Sequence, residues 1–227
     1  MVRYYQKPSR HLDPDRRLRC SLPMNRKTHW EQVYREKSPD AVSWYQTRPE
    51  PSLSMIRAIG LRPDAPIIDV GGGASTLVDH LLDEDYTDLT VLDLSAAAIG
   101  HARQRLGKRA EAVAWIEADI TGFQPARRYA LWHDRAVLHF LVDPEDRRRY
   151  RAALDSATEP GSHIVIGTFS ESGPEKCSGL EVVRYNHRTL AGLLGDAYRL
   201  RTHQTVVHRT PWEAEQSFLF CHFQREA

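Results

Sequence analysis

Three aspartates and a run of glycines stand out for their spacing. Asp69 follows the apolar residues of "PII", Gly71 to Gly73 come just after it, Asp93 closes "LTVLD", and Asp119 follows "WIEA". Carboxylates placed after short apolar runs sit at strand ends, and open α/β sheets bind ligands at the carboxyl ends of their strands. Gly71 and Gly73 lack Cβ atoms, so the chain can turn sharply there and a ligand can approach the peptide plane. A Walker phosphate loop needs a Gly-Lys-Ser/Thr ending, and this turn has no lysine. A dinucleotide fingerprint needs a third glycine where Thr76 stands. Asp69 at the mouth of the strand would repel a pyrophosphate and favour a ligand carrying an ammonium group or a positive charge.

Asp93, with Leu94 beside it, suits the two hydroxyls of a ribose. Asp119 can accept a hydrogen bond from an adenine amino group, and Ile120 would lie against the purine face. A ligand cationic at one end, with ribose in the middle and adenine at the other, is S-adenosylmethionine. The competing reading is that these aspartates only cap turns or helices; Ser95 suits the helix cap after Asp93 better than Asp93 itself.

A second cluster lies in "ALWHDRAVLHF". Asp134 or His139 is the right type for a general base, and Arg135 for holding an acceptor carboxylate. His133 is expected to line the site through its backbone. Asp134 and Arg135 can instead form an internal ion pair that shapes the loop. Trp30, Tyr34, Trp44 and Tyr45 precede the glycine turn, and an aromatic face stabilises a cation by about 0.5–2 kcal/mol. Trp44 and Tyr45 follow a break at Ser38-Pro39 and are assigned to the substrate side. The polar stretch from Phe169 to Asn186 is longer than a simple connection and is a candidate substrate loop; its Cys177 reads as a bystander.

The elements that must hold these residues follow from the pattern. "NRKTHWEQVYREKSPD" and "EPSLSMIRAIGL" read as two helices, the first with the following loop forming a lid over residues 24–60. From "PIIDV" onward, short apolar runs ("LTVLDL", "VAWIEAD", "SHIVIGTF") alternate with helices ("STLVDHLLDE", "SAAAIGHARQRLG", "PEDRRRYRAALDSA"), and "YALWHDRAVLHFL" passes from strand to helix. That alternation predicts a parallel sheet covered on both faces. "LRTHQTVVH" and "QSFLFCHFQR" alternate apolar with polar residues and predict a terminal antiparallel hairpin.

The 227 residues suit one α/β domain over 24–227, preceded by a basic tail at 1–23 that has no apolar core and is expected to be poorly ordered. A formal net charge of +1 gives no field to recruit nucleic acid or an anionic membrane. Three dispersed cysteines show no metal-ligand spacing and fit a reducing, cytoplasmic setting. Nothing in the sequence calls for more than a monomer.

The motifs "DVGGG", "LDLS", "EADI" and "WHDRAVLHF", with the terminal hairpin, resemble the class I methyltransferases. The resemblance runs from about Thr28 to Gln224, with Ser75 where many members have a third glycine. It implies a Rossmann-like three-layer sandwich, a mostly parallel seven-stranded sheet with a C-terminal antiparallel β-hairpin, and S-adenosylmethionine as cofactor. "HWEQVY", "SWYQ" and "PSLSMI" resemble the branch containing protein-lysine methyltransferases of citrate synthase and elongation factor 1A. An asparagine-proline-proline-aromatic signature is missing, and "HDRA" stands in its place. The acceptor is therefore read as a small molecule or a protein lysine. An NAD-dependent oxidoreductase and a non-catalytic binding module for the same cofactor remain open on the sequence.

Overall fold

The computed structural model describes residues 25–227, so the tail expected at 1–23 lies outside the described residues. Short, largely apolar segments form the central strands: β1 (Ile67–Val70), β2 (Leu89–Asp93), β3 (Val113–Glu117), β4 (Leu131–Arg135) and β5 (His163–Phe169). These pair in parallel in the order β3-β2-β1-β4-β5. The long hairpin of β8 (Tyr198–Arg209) and β9 (Glu215–Arg225) completes seven strands, with β9 antiparallel to β5 and β8 outermost. The seven-stranded, mostly parallel sheet with its terminal hairpin is the expected Rossmann-like sandwich.

Helices cover both faces. Ile68, Trp132, Ile164 and Ile166 pack toward α5 (Pro144–Ala157) and α6 (His187–Leu194). Ile67, Leu131 and Val165 pack toward α2 (Glu50–Ile59) and α3 (Leu77–Asp83). Each of these buried aliphatic side chains contributes about 1.5–3 kcal/mol. A strand buried on both faces shows no polar alternation, which is why the central runs read as continuously apolar.

Helix α4 (Ala96–Leu106) starts where Ser95 Oγ accepts the Ala98 N–H at 3.1 Å, the cap expected from the sequence. Two features differ from expectation. After β4 the chain makes only one 3-10 turn, Leu138–Phe140, where a longer helix was expected. The long segment after β5 holds a short ribbon of β6 (Lys176–Cys177) and β7 (Leu180–Glu181) and leads into α6, which the sequence reading missed. Its signal was present: Asn186 and Thr189 form a reciprocal capping box, and Leu190 and Leu194 share one helix face. Among the described residues, no helix is long and apolar enough to cross a membrane.

Helix α1 (Arg26–Glu36) lies across the carboxyl ends of the strands. Glu31 Oε2 accepts from Ser95 Oγ at 2.8 Å, and Arg26 pairs with Asp119 at 3.2 Å and Asp146 at 3.0 Å. His101 Nε2 meets the Tyr34 carbonyl oxygen at 2.7 Å. These contacts tie the helix to α4, to the turn after β3 and to α5.

Candidate active site

Two cavities meet at the glycine turn. The larger, with an empty volume of about 840 Å³ including its mouth, is lined by Asp93, Leu94, Asp119 and Ile120 among others. The smaller, about 490 Å³, is lined by Asp69, Gly72, Thr76 and His133. Gly71, Tyr34, Trp44 and Arg135 line both, so the three aspartates face one continuous surface with Gly71 at its seam.

Neighbouring strands place Asp69 and His133 at the same register, which brings their side chains together on the α2 face. Asp69 Oδ1 and His133 Nδ1 are 2.7 Å apart, and His133 Nε2 is 2.9 Å from Ser52 Oγ. The buried side chain of His133 thus orients Asp69, and the residue also lines the smaller cavity. Asp69 Oδ2 is buried and has no hydrogen-bond partner among the described residues. A buried carboxylate oxygen left free beside a cavity is a site for a cation or N–H donor.

Asp93 Oδ2 accepts the Gly73 N–H at 3.0 Å and Oδ1 accepts the Ser95 N–H at 2.8 Å. Each oxygen keeps lone-pair capacity for a hydroxyl donor. Burial pushes this carboxyl up to about 6, against the two backbone N–H bonds that favour its charge. Gly73 lines neither cavity; its N–H orients Asp93, and a Cβ there would lie 2.6 Å from Asp93 Oδ2. Asp119 Oδ1 accepts from Thr121 N at 2.9 Å and Oγ1 at 2.7 Å, while Oδ2 meets Arg26. Ile120 is buried at the same rim.

The fourth strand divides its cluster between the faces. Arg135 lines both cavities, and its guanidinium bonds the Gln46 side chain and the Trp44 carbonyl, fixing the loop that carries Trp44 and Tyr45. Burial lowers it to about 10, so it stays charged. Trp44 edges onto Trp30 with centroids 5.5 Å apart, and Tyr45 lines the smaller cavity.

Asp134 points the other way, as alternation along a strand requires. It accepts from Val137 N at 2.9 Å, Leu138 N at 3.2 Å and Tyr150 Oη at 2.8 Å, and it lines neither cavity. A base role is not open to it from this position, nor is the alternative ion pair with Arg135. Asp134→Ala should leave three buried donors unpaired, at about 1–3 kcal/mol each. The expected result is a melting temperature lower by about 10 °C, with S-adenosylhomocysteine affinity, measured by calorimetry, within about threefold of wild type.

His139 does line the larger cavity, fully buried. Its Nδ1 accepts the Phe169 N–H at 3.3 Å, and burial together with the Arg135 charge lowers it to about 3. The ring is therefore neutral with its proton on Nε2, a donor where the sequence suggested a base. Phe169, the first residue of the candidate substrate loop, lines the same cavity, and the residues that sequence reasoning missed are Phe218 and Gln216, which the terminal hairpin brings there. No local motif marks them.

A model of the methyltransferase domain family matches residues 68–164. That span holds β1 to the start of β5, with Asp69, Asp93 and Asp119 at its strand ends. Residues 68–164 thus form a methyltransferase domain, and the seven-stranded fold around them is that of the class I S-adenosylmethionine-dependent methyltransferases. Among curated relatives, the eEF1A lysine and N-terminal methyltransferase of Mus musculus is 22% identical over 78% of the chain. The chain spans about a quarter of that relative, since the match covers 25% of its length. A solved structure from work on conversion of a disulfide bond into a thioacetal group during echinomycin biosynthesis superposes with a TM-score of 0.71. It is 20% identical and covers 89% of this chain and 93% of that one. The N-methyltransferase NodS of Bradyrhizobium japonicum WM9, in complex with S-adenosyl-L-homocysteine, gives 0.66 at 20% identity, over 87% and 98% of the two chains.

Proposed function

We propose that this methyltransferase carries a methyl group from S-adenosylmethionine to a small-molecule or protein-lysine acceptor. The observation that carries the reading is the buried, unpartnered Asp69 Oδ2, which faces the same surface as Asp93 across Gly71. Asp69 would hold the cofactor's ammonium, Asp93 the ribose hydroxyls, Asp119 the adenine amino group, and Leu94 and Ile120 the purine faces. The side chain of His133 keeps Asp69 in place. When bound, the cofactor supplies a methyl carbon made electrophilic by its sulfonium.

The chain's own task is then to align and to exclude water. Helix α1 roofs the cavity, and Trp30, Tyr34 and Trp44 offer ring faces that suit a sulfonium. Arg135 anchors the loop bearing Trp44 and Tyr45, the residues assigned to the acceptor side. The protein-lysine class has a named precedent in the mouse relative, called a lysine and N-terminal methyltransferase, and NodS is named an N-methyltransferase. The free thiols of Cys177 and Cys221 suit the cytoplasm.

Incubation with cofactor labelled in its methyl group and a cell extract, followed by separation of protein from small molecules, tests this reading. Label should appear in one fraction. Protein that binds neither S-adenosylmethionine nor S-adenosylhomocysteine, or that binds NADH tightly in their place, would end it.

A further inference from the structure

We propose that the acceptor chamber takes a small, uncharged, planar nitrogen compound, held by a hydrogen bond from His139 Nε2–H and another to Gln216 Oε1. The proposal rests on the cofactor reading above and narrows its acceptor.

Two buried polar atoms without partners line one cavity. His139 Nε2 and Gln216 Oε1 are both shielded from solvent and make no hydrogen bond among the described residues. His139 shows no exposure and Gln216 only 9%. They come from distant segments, the turn after β4 and the strand β9. Phe169 N–H occupies the lone pair of His139 Nδ1, so Nε2 presents a proton. Gln216 Oε1 presents a lone pair. A buried unpaired donor or acceptor costs about 1–3 kcal/mol, so two in one chamber point to a ligand that satisfies both. The ligand must offer one acceptor and one donor.

The walls select shape and charge. Phe169 stacks near His139 with centroids 4.6 Å apart, Phe218 sits 4.7 Å from Phe169, and Trp30 and Phe140 close at 4.9 Å. Such rings favour a flat partner in offset or edge contact. The buried charge of Arg135 lines the same cavity and opposes a lysine ammonium. Of the groups that line the cavity, Asp93 and Asp119 are assigned to the cofactor, His139 Nε2 already carries its proton, and burial pushes the Cys177 thiol up to about 11, so the acceptor side holds no ready base. The nucleophile must therefore bring a free lone pair at neutral pH, as a ring or heteroaryl nitrogen does. The lone pair of that pyridine-type nitrogen would form the N–C bond to the methyl carbon as the C–S bond breaks with its pair passing to sulfur, and the ring's separate N–H, made acidic by the positive charge, would then release its proton to water.

Calorimetry on the full chain saturated with S-adenosylhomocysteine tests this, using quinazolin-4(3H)-one and 2-pyridone as neutral planar probes and n-butylamine as the lysine side-chain probe. The planar probes should bind and n-butylamine should not. Gln216→Leu, close in volume, and His139→Phe should each weaken the planar probes about tenfold or more. S-adenosylhomocysteine affinity should stay within about twofold in both variants, which also reports that they are folded. Binding of n-butylamine in preference to the planar probes, or planar-probe affinity unchanged in Gln216→Leu, would overturn the proposal. Wild-type protein that fails to bind S-adenosylhomocysteine would overturn the cofactor reading itself.

Discussion

Asp93→Ala is expected to lower S-adenosylhomocysteine affinity at least about a hundredfold. Two hydroxyl bonds to an ionised carboxylate contribute about 1.5–3 kcal/mol each, and 1.4 kcal/mol is a factor of ten. The same change strands the Gly73 and Ser95 N–H groups, which the carboxylate now holds at 3.0 and 2.8 Å. Stability should fall with affinity, so Asp93→Asn is the informative partner. It keeps an acceptor for one N–H and should lose affinity with a smaller drop in melting temperature. Calorimetric affinity in Asp93→Ala within tenfold of wild type would mean that this carboxylate only shapes the turn.

The protonation of Asp93 adds a pH signature. Burial raises it to about 6, well above the ordinary aspartate value. The folded state thus takes up the proton more readily than the unfolded chain. The charged carboxylate costs stability above pH 6, and that cost is relieved as pH falls from about 6 toward the unfolded value. Ligand hydroxyls favour the charged form, so binding must expel this proton below pH 6. Affinity should be flat from pH 8 to about 6.5 and then fall, approaching tenfold per pH unit. An affinity unchanged down to pH 5 would contradict the assignment.

Gly71→Ala is expected to have the second-largest effect. Gly71 has φ +71°, a conformation that costs an L-residue about 1–2 kcal/mol, and an added Cβ would lie 2.0 Å from Val137 Cγ2. Val137 follows the strained turn at Ala136, φ 72°, whose N–H is held by the Gly167 carbonyl at 2.8 Å, so the wall has little room to yield. Because Gly71 lines both cavities, displacement there reaches both ends of the ligand site. The expected outcome is a fall of several degrees in melting temperature and at least a tenfold loss of S-adenosylhomocysteine affinity. Gly100→Ala is the control. Gly100 lies in α4 with open space around its Cβ position, and the change should be neutral or stabilising by about 0.5–1 kcal/mol. Equal behaviour of the two variants would refute the argument from geometry.

The alternation of short apolar runs with helices, the glycine turn and the aspartate after each of three strands are local signals. They lie within the spans that form each strand-turn-helix unit, so the sheet class, the cap at Ser95 and the acids that line the two cavities were legible from residue order. The faces of β4 were not. A strand buried on both sides carries no alternation to read, so nothing in "LWHDR" says that His133 meets the cavity while Asp134 turns toward Tyr150. Only the register of β1 against β4, together with Ser52 from α2, decides that.

The protonation of His139 belongs to the same class. Its residue type suggests a base, but a backbone N–H from Phe169 and the charge of Arg135 leave it a neutral donor. By itself the sequence determined the architecture and the ligand-facing acids, because those depend on neighbours a few residues away. The tertiary structure alone decided which atoms of His139, Gln216 and Asp69 are left without partners, because that depends on segments far apart in the chain meeting in a solvent-free space.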